Sequence, residues 1–575
     1  MNLFDHYKNF IINIVETNKR ILKIDDTNDY QGVLVEIPPE KFDYELSCNI
    51  SLILGKINKI NPTQLANNIK KVLIESSNDF KEIQVLNPGF LNIKLNDKTL
   101  SNLILNILNK KDKYGSNLTK KKNYNIEFVS ANPTGPLHIG HCRGAIFGDV
   151  LSNLLEFNGN KVIREYYIND YGNQIINFTK SVFLRIREIK FNEEFVNEKD
   201  LYPGTYIIEI AKKIIKDNPE IKYDNFKNIF EVISEKSLEI SMQMIKSDLN
   251  KLGVEHNNFF SEKNLVKKKL VEKIVKDLKN KKVIDYGTLS PPKGTDKKNW
   301  KPIKRLIFKS TNYGDDNDRA LQKNDGSWTY FANDVAYHAD KINRNYDTLI
   351  NVLGADHTGY IKRITAAVKA ISNNKVNINC KVTQLVKLYK NGQPFKMSKR
   401  AGDFVSVSDL LNEVSKDSLR FMMLNRSNDV EIDFDLNKVL EKTKDNPVFY
   451  VQYCYARINS LFRLLDIKDT NKISIDENNF FLNEYDKKLL KKIINWPKVV
   501  DASTKTYEIH RIPFYLYELA TIFHSYWSKG NENNDYKFIQ NEKIRNLNVL
   551  AILKLVNLVI KNGMGILGVS LPKKM

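Results

Sequence analysis

The period of hydrophobic and polar positions changes several times along the chain, and the changes predict its elements. Up to about residue 110, helical spacing alternates with strand-like runs at 32–37, 82–86 and, after the turn Asn87-Pro88-Gly89, 90–95, before a helical stretch over 97–108. From Tyr124 the order becomes strand, glycine-containing turn and long helix, with further strand patterns at 161–168, 305–308 and 348–353. Strands separated by helices predict a parallel, Rossmann-type α/β sheet with ligands at the carboxyl ends of its strands. Residues 178–282 are mainly helical, which predicts an insertion. After Leu410 strand patterns nearly vanish, and 437–575 reads as successive helices. The expected organisation is a small α+β module over 1–110, a lysine-rich hinge over 110–122, and an α/β domain over 120–410 with its insertion at about 178–282. A junction over 411–445 and an all-α helical bundle over 446–575 follow.

Two stretches bear on location. Leu547 to Leu571 is the most apolar, but Lys554, Asn557, Lys561 and Asn562 interrupt it, which predicts an amphipathic or buried helix rather than a membrane span. The first nineteen residues carry Asp5, His6 and Lys8 and make a poor signal peptide. A cytoplasmic protein without a membrane partner is the expectation.

Composition narrows the class. With 575 residues, 42% apolar, 10% aromatic and only 16 prolines, a disordered or collagen-like chain is excluded. The formal charge of +21 favours a polyanionic partner through counterion release. A general bias toward Lys, Asn and Ile would give the same excess, so charge alone leaves the matter even. Cys48, Cys142, Cys380 and Cys454 are far apart, with no CxxC pair and no His/Cys cluster, so neither a disulfide framework nor zinc is expected.

The chemistry concentrates in two segments. An apolar strand from Tyr124 runs into Ser130-Ala131-Asn132-Pro133-Thr134-Gly135-Pro136-Leu137, then His138-Ile139-Gly140-His141 and an unbroken helical pattern. A turn feeding a helix places backbone N–H groups and the positive end of the helix dipole together, where phosphate binds. His138 and His141 share one face and can donate to phosphate oxygens, while Gly140 lets a flat base approach the backbone. Alone, this motif fits a helix cap equally well. The second segment is Pro394-Phe395-Lys396-Met397-Ser398-Lys399-Arg400-Ala401-Gly402, in which Lys396 and Lys399 can bring ammonium groups onto polyphosphate.

HIGH followed by KMSKR in one chain resembles the class I aminoacyl-tRNA synthetases. Glu127 to Pro136 (EFVSANPTGP) before HIGH and Cys142-Arg143-Gly144 after it are similar to the arginyl-tRNA synthetases in particular. Further blocks at 166–174 (YYINDYGNQ), 202–206 (YPGTY), 354–363 (GADHTGYIKR), 446–458 (NPVFYVQYCYARI), 567–575 (LGVSLPKKM) and 87–95 (NPGFLNIKL) extend the resemblance over nearly the whole chain.

The resemblance implies ATP-dependent ligation of L-arginine to tRNA(Arg) through an enzyme-bound arginyl-adenylate, releasing AMP and pyrophosphate. ATP enters with Mg2+, and neither a covalent enzyme intermediate nor a zinc site is implied. His138, His141, Lys396 and Lys399 would be catalytic, with Gly140, Gly354, Asp356, Met397 and Ser398 completing the ATP site. Asp356, past an apolar strand, could accept from ribose hydroxyls or cap a helix. Glu127 and Asn132 would contact the substrate's amino group and backbone end. Tyr330 and Asp334 would form the guanidinium side and share one face if helical, with His357 also facing the pocket; without the resemblance, Tyr330 reads as core and Asp334 as a solvated helix residue. Asn333 departs from the residue the family often has there. The resemblance also assigns 1–110 to the tRNA elbow, Asp417-Ser418-Leu419-Arg420 to the junction, and 446–575 to the anticodon. There Tyr450, Tyr453, Tyr455 and Arg457 offer rings and a cation for splayed bases, though each tyrosine fits a buried stripe equally well. A monomer is implied. The other readings are a cysteinyl-type synthetase, a non-catalytic tRNA-binding paralogue and an HxGH nucleotidylyltransferase.

Overall fold

Five strands at the centre of residues 121–441 form the parallel sheet that the alternation of strands and helices predicts. They are β1 (Asn123–Glu127), β2 (Lys161–Ile168), β3 (Asn258–Ser261), β4 (Thr348–Gly354) and β5 (Asn377–Thr383), side by side in the order β5-β4-β1-β2-β3. All four pairings are parallel. Strand β4 is buried along Thr348 to Val352, as expected of a strand covered on both faces. Between β1 and β2 runs helix α1 (Ile139–Phe157), whose buried residues lie on several faces because it packs within the domain rather than on its surface. Gly148 allows that packing, since a Cβ there would sit 2.2 Å from Cγ of Phe128. Helices α2 (Phe226–Leu252), α3 (Tyr330–Asn343) and α4 (Ile361–Ser372) complete the surroundings of the site.

The computed structural model describes residues 2–25, 29–289, 303–395 and 405–575. Several expectations need correction. The strand Arg305–Phe308 forms, but outside the parallel sheet: it is the middle strand of an antiparallel sheet between Ile284–Gly287 and Arg319–Ala320. Apolar runs announce a strand without naming its partner. The segment 178–282 is not an insertion throughout, because it contains β3, the edge strand beside β2. Four half-buried residues give too short a pattern to read. Strand Ile432–Asp435 lies beyond Leu410 and pairs in parallel with Val386–Lys390.

The remaining residues, 1–120 and 442–575, make a second unit. Its first part holds a four-stranded antiparallel sheet in the order Val35–Glu36, Leu46–Cys48, Phe90–Leu95, Phe80–Leu86, covered by helices that include Leu3–Thr17 and Pro62–Ser76. Its second part is the expected succession of helices, from Pro447–Leu464 to Leu547–Leu567, departing only in the hairpin Ile539–Gln540 with Lys543–Ile544. Helix Leu547–Leu567 is long and apolar enough to cross a membrane, yet 83% of its most apolar window is buried inside the fold. The expected hinge 110–122 is anchored in its middle. Tyr114 is buried, its hydroxyl donates to the Ile493 carbonyl at 3.1 Å, and its own carbonyl accepts from Trp496 Nε1 at 3.1 Å.

Candidate active site

The carboxyl ends of β1 and β4 lie side by side, with Asn351 in register with Glu127. The chain leaving β1 turns sharply. Val129 and Ser130 take left-handed backbone angles, φ 69° and 40°, a strained conformation for a β-branched residue that persists only where surrounding structure enforces it. The enforcement is visible: the Ser130 hydroxyl donates to Glu127 Oε1 at 3.1 Å and accepts from the Tyr167 N–H at 3.1 Å. Asn132 is exposed two residues later and accepts from Asn169 Nδ2 at 3.2 Å.

His138 caps α1. Its Nδ1 accepts from the Gly140 N–H at 3.1 Å, and its own backbone N–H donates to Nδ1 of His141 at 3.3 Å. The two rings lie 3.9 Å apart. Burial lowers the pKa of both; His141 falls to about 4 through burial and then His138, against a raising contribution from Asp356. Both imidazoles are therefore neutral near pH 7. With each Nδ1 accepting, the proton sits on Nε2, so the pair stands at a helix N-terminus as N–H donors rather than as cations. Of the two alternatives for this motif the helix cap is what is observed, and the cap leaves each proton on Nε2.

Lys396, Met397, Ser398 and Lys399 lie outside the described residues. The chain that follows them runs along the HIGH turn: the Ile139 N–H donates to the Val405 carbonyl and the Val407 N–H to the Leu137 carbonyl, each at 3.0 Å. Asp248 on α2 accepts from the Leu137 N–H at 3.1 Å and from the Ser408 hydroxyl at 3.1 Å, tying turn and chain together. Arg143 is buried and donates to the carbonyls of Gln384, Ser427 and Val430, which fixes α1 to the neighbouring small sheet. Arg420, in the junction motif, is likewise buried and donates to Asp149 and to the Leu252 and Gly253 carbonyls.

Gly354 ends β4. A Cβ there would lie 2.6 Å from Asp356 Oδ1, so the carboxylate folds back over the glycine. Asp356 and His357 are exposed and pair with each other at 3.2 Å. Asp356 belongs to a short 3₁₀ turn, Ala355–Tyr360, where no side-chain cap forms; of its two readings the helix cap is thereby set aside.

On α3, Tyr330 is exposed and borders a cavity of about 380 Å³ whose lining includes Asn333, Asp170, Glu262 and Trp328. Asp334 is half-buried one turn on. Its carboxylate receives the hydroxyl of Tyr360 rather than that of Tyr330, so the helical spacing is as expected but the pair is not a hydrogen-bonded unit. Burial, then the charges of Glu127 and Glu262, push the Asp334 carboxyl up to about 7, against the opposing Tyr360 hydrogen bond and the charge of Lys341. Asn333 donates to the buried Glu262 at 2.9 Å, giving this departure from the family pattern a structural partner.

Sequence reasoning missed the network beneath. Lys341 is 0% exposed; its ammonium donates to Glu127 Oε2 at 2.5 Å and to Asn351 Oδ1 at 3.3 Å. Glu165 on β2 receives Arg344 through both guanidinium nitrogens at 2.5 and 2.8 Å, with Tyr337, Asn258 and Asn125 also donating. Burial works against ionisation there, yet the Arg344 hydrogen bond and the charges of Lys341 and Arg344 outweigh it and hold Glu165 at about 2. The spacing Lys341-x-x-Arg344 on one helix was the only available signal, and it reads as ordinary surface charge.

In the helical end, Tyr450, Tyr453 and Arg457 lie on Pro447–Leu464 and are half-buried. The Arg457 guanidinium stacks 4.1 Å from Tyr453 and 4.8 Å from Trp527, and His524 donates to the Tyr450 carbonyl at 3.1 Å. Among the described residues no group of three or more His, Cys, Asp or Glu could hold a metal ion.

Three family models match. Residues 103–462 match the catalytic domain of class I tRNA synthetases (R), 451–575 the DALR anticodon binding domain, and 10–95 the arginyl-tRNA synthetase N-terminal domain. The chain is 51% identical to an arginine–tRNA ligase of Pelagibacter ubique across 100% of both chains, and 43% identical to one of Ehrlichia chaffeensis across 99% of both. The Thermus thermophilus arginyl-tRNA synthetase shares its fold, with a TM-score of 0.72 at 17% identity over 99% of this chain and 100% of that one. A family model matching most of the chain, and full-length relatives, together show that the chain belongs to the arginyl-tRNA synthetases.

Proposed function

We propose how this chain divides the family's reaction, in which ATP, L-arginine and tRNA give arginyl-tRNA, AMP and pyrophosphate, among its residues. The observation that carries the reading is the neutral histidine pair at the start of α1, with the charge of Asp356, just past β4, acting on His141. His138 and His141 donate from Nε2 to the phosphates of ATP, which arrives as its magnesium complex, and the N-terminus of α1 adds its dipole. Gly140 and Gly354 keep the backbone clear for the nucleotide, and Asp356 accepts from ribose hydroxyls. Lys396 and Lys399, with Met397 and Ser398 between them, neutralise charge as pyrophosphate leaves.

Glu127 and Asn132 take the arginine's α-ammonium and backbone end. Asp334 takes the guanidinium, Tyr330 closes over it, and exposed His357 borders the pocket. The charges of Glu127 and Glu262 act on Asp334 against that of Lys341, so acid outweighs base around it, which suits a substrate bearing two positive groups. Such a site rejects lysine and citrulline, because either leaves buried polar groups unpaired. The N-terminal module contacts the tRNA elbow and the helical end reads the anticodon, with Tyr450, Tyr453 and Arg457 as its stacking surface. The protein acts as a cytoplasmic monomer.

Aminoacylation with each amino acid in turn, and pyrophosphate exchange with and without tRNA, test this reading. Charging of an amino acid other than arginine sinks it.

A further inference from the structure

We propose that Lys341 is a positioning residue for arginine, fixing the carboxylate that receives the α-ammonium to the helix that carries the carboxylate for the guanidinium. The inference rests on the assignment of Glu127 and Asp334 made above. Lys341 lies two turns after Asp334 on α3, is wholly buried, and reaches across to Glu127 at the end of β1 at 2.5 Å. Its second acceptor is Asn351 Oδ1 on β4. The Asn351 amide then faces Nε2 of His338 at 3.0 Å, and His338 Nδ1 lies 2.8 Å from the carbonyl of Asp334. A carbonyl only accepts, so Nδ1 carries the proton and Nε2 accepts from Asn351. The ring is buried and neutral, with its pKa lowered by burial to about 4.

The chain of contacts is therefore closed and directional: Lys341 donates to Glu127 and Asn351, Asn351 to His338, and His338 to the backbone of Asp334. Glu127 keeps acceptor capacity after receiving Lys341 and Ser130, since an ionised carboxylate offers about four lone-pair sites. What Lys341 removes is the freedom of the Glu127 carboxylate to rotate away from that position. The distance between the two grips on the substrate is then set by β1, β4 and α3 together, rather than by two independent side chains.

The test uses Lys341→Met and Glu127→Gln enzymes, assayed with tRNA by pyrophosphate exchange, and 5-guanidinopentanoate, an arginine lacking the α-ammonium, as competitive inhibitor. For Lys341→Met the arginine KM rises about tenfold or more, the worth of one misplaced charged contact. All three are read at about pH 8.5, where Asp334 is ionised with or without the charge of Lys341, and there inhibition by the analogue and the KM for ATP stay within about twofold of wild type. A merely structural role would weaken all three ligands together, and that result overturns the proposal. Equal arginine KM in Lys341→Met and wild type, with Glu127→Gln impaired, overturns the proposal alone; an unimpaired Glu127→Gln overturns the Glu127 assignment as well. Should Lys341→Met fail to fold, the double variant Lys341→Met/Glu127→Gln leaves no lone charge from the pair. Its arginine KM should equal that of Glu127→Gln, and a value about tenfold worse overturns the proposal.

Discussion

Arginine should bind this enzyme with an acid limb centred near neutrality, set by Asp334. Burial leads the rise of its carboxyl to about 7; Glu127 and Glu262 push the same way, while Lys341 and the Tyr360 hydroxyl pull back. A guanidinium needs the ionised form as partner, so apparent affinity scales with the ionised fraction. That fraction is about one in eleven at pH 6 and about ten in eleven at pH 8, so the arginine KM should be about tenfold higher at pH 6 than at pH 8. His138 and His141 do not supply this limb, since both are shifted below the usual histidine value, His141 to about 4. Stability runs the opposite way. A carboxyl whose folded pKa is raised contributes stability that is fully present below its unfolded value, near 4, and is lost as pH climbs through 7. Asp334→Asn keeps an acceptor for Tyr360 and removes the titration. It should bind arginine weakly with no pH dependence, and should unfold about 1–4 kcal/mol harder than wild type at pH 8 without ligand, the upper figure being the whole shift. Initial-rate KM measurements from pH 6 to 8, with thermal melts of both proteins, check this. A flat wild-type profile, or equal melting of both at pH 8, would refute the reasoning.

Other outcomes follow from the same contacts. Lys399→Ala should cut the rate of adenylation with little change in arginine KM, whereas Asp334→Ala should mainly raise the arginine requirement; single-turnover and steady-state kinetics separate them, and like behaviour in both variants sinks the division of roles. Glu165→Gln removes the buried charge that Arg344 pairs with, leaving it only Asp340, and should cost on the order of 3 kcal/mol by urea unfolding. Because the Glu165 pKa is depressed to about 2, the stability it supplies is present above about 4.5 and fades as pH falls toward 2. Gly148→Ala drives a methyl into Phe128 and should destabilise the catalytic unit by about 1–3 kcal/mol while leaving helix content by circular dichroism intact.

The places of the candidate site residues in the fold were legible because those residues sit in contiguous strings. HIGH opens α1, the run Glu127 to Pro136 leaves the end of β1, and the block Gly354 to Arg363 leaves the end of β4 and enters α4, so reading each string also located its place in the fold. The partners of those residues were not legible. Tyr360 meets Asp334 from another element, Ser130 ties back across a strained bend, and Lys341 and Arg344 would pass for solvated charges on any amphipathic helix.

 The sequence by itself determined the strands β1, β2 and β4, the helix that His138 caps, the helical end of the chain and the family to which it belongs. Local periodicity and short-range turn chemistry encode these, and neither needs a distant partner. Only the tertiary structure decided that Arg305–Phe308 leaves the parallel sheet, that β3 joins it, and that Tyr114 fastens the expected hinge to Trp496. It also decided the charge states, making two histidines neutral donors and raising one carboxyl toward neutrality. Protonation depends on burial and on charges brought close from elsewhere in the chain, and those distances exist only once the chain has folded.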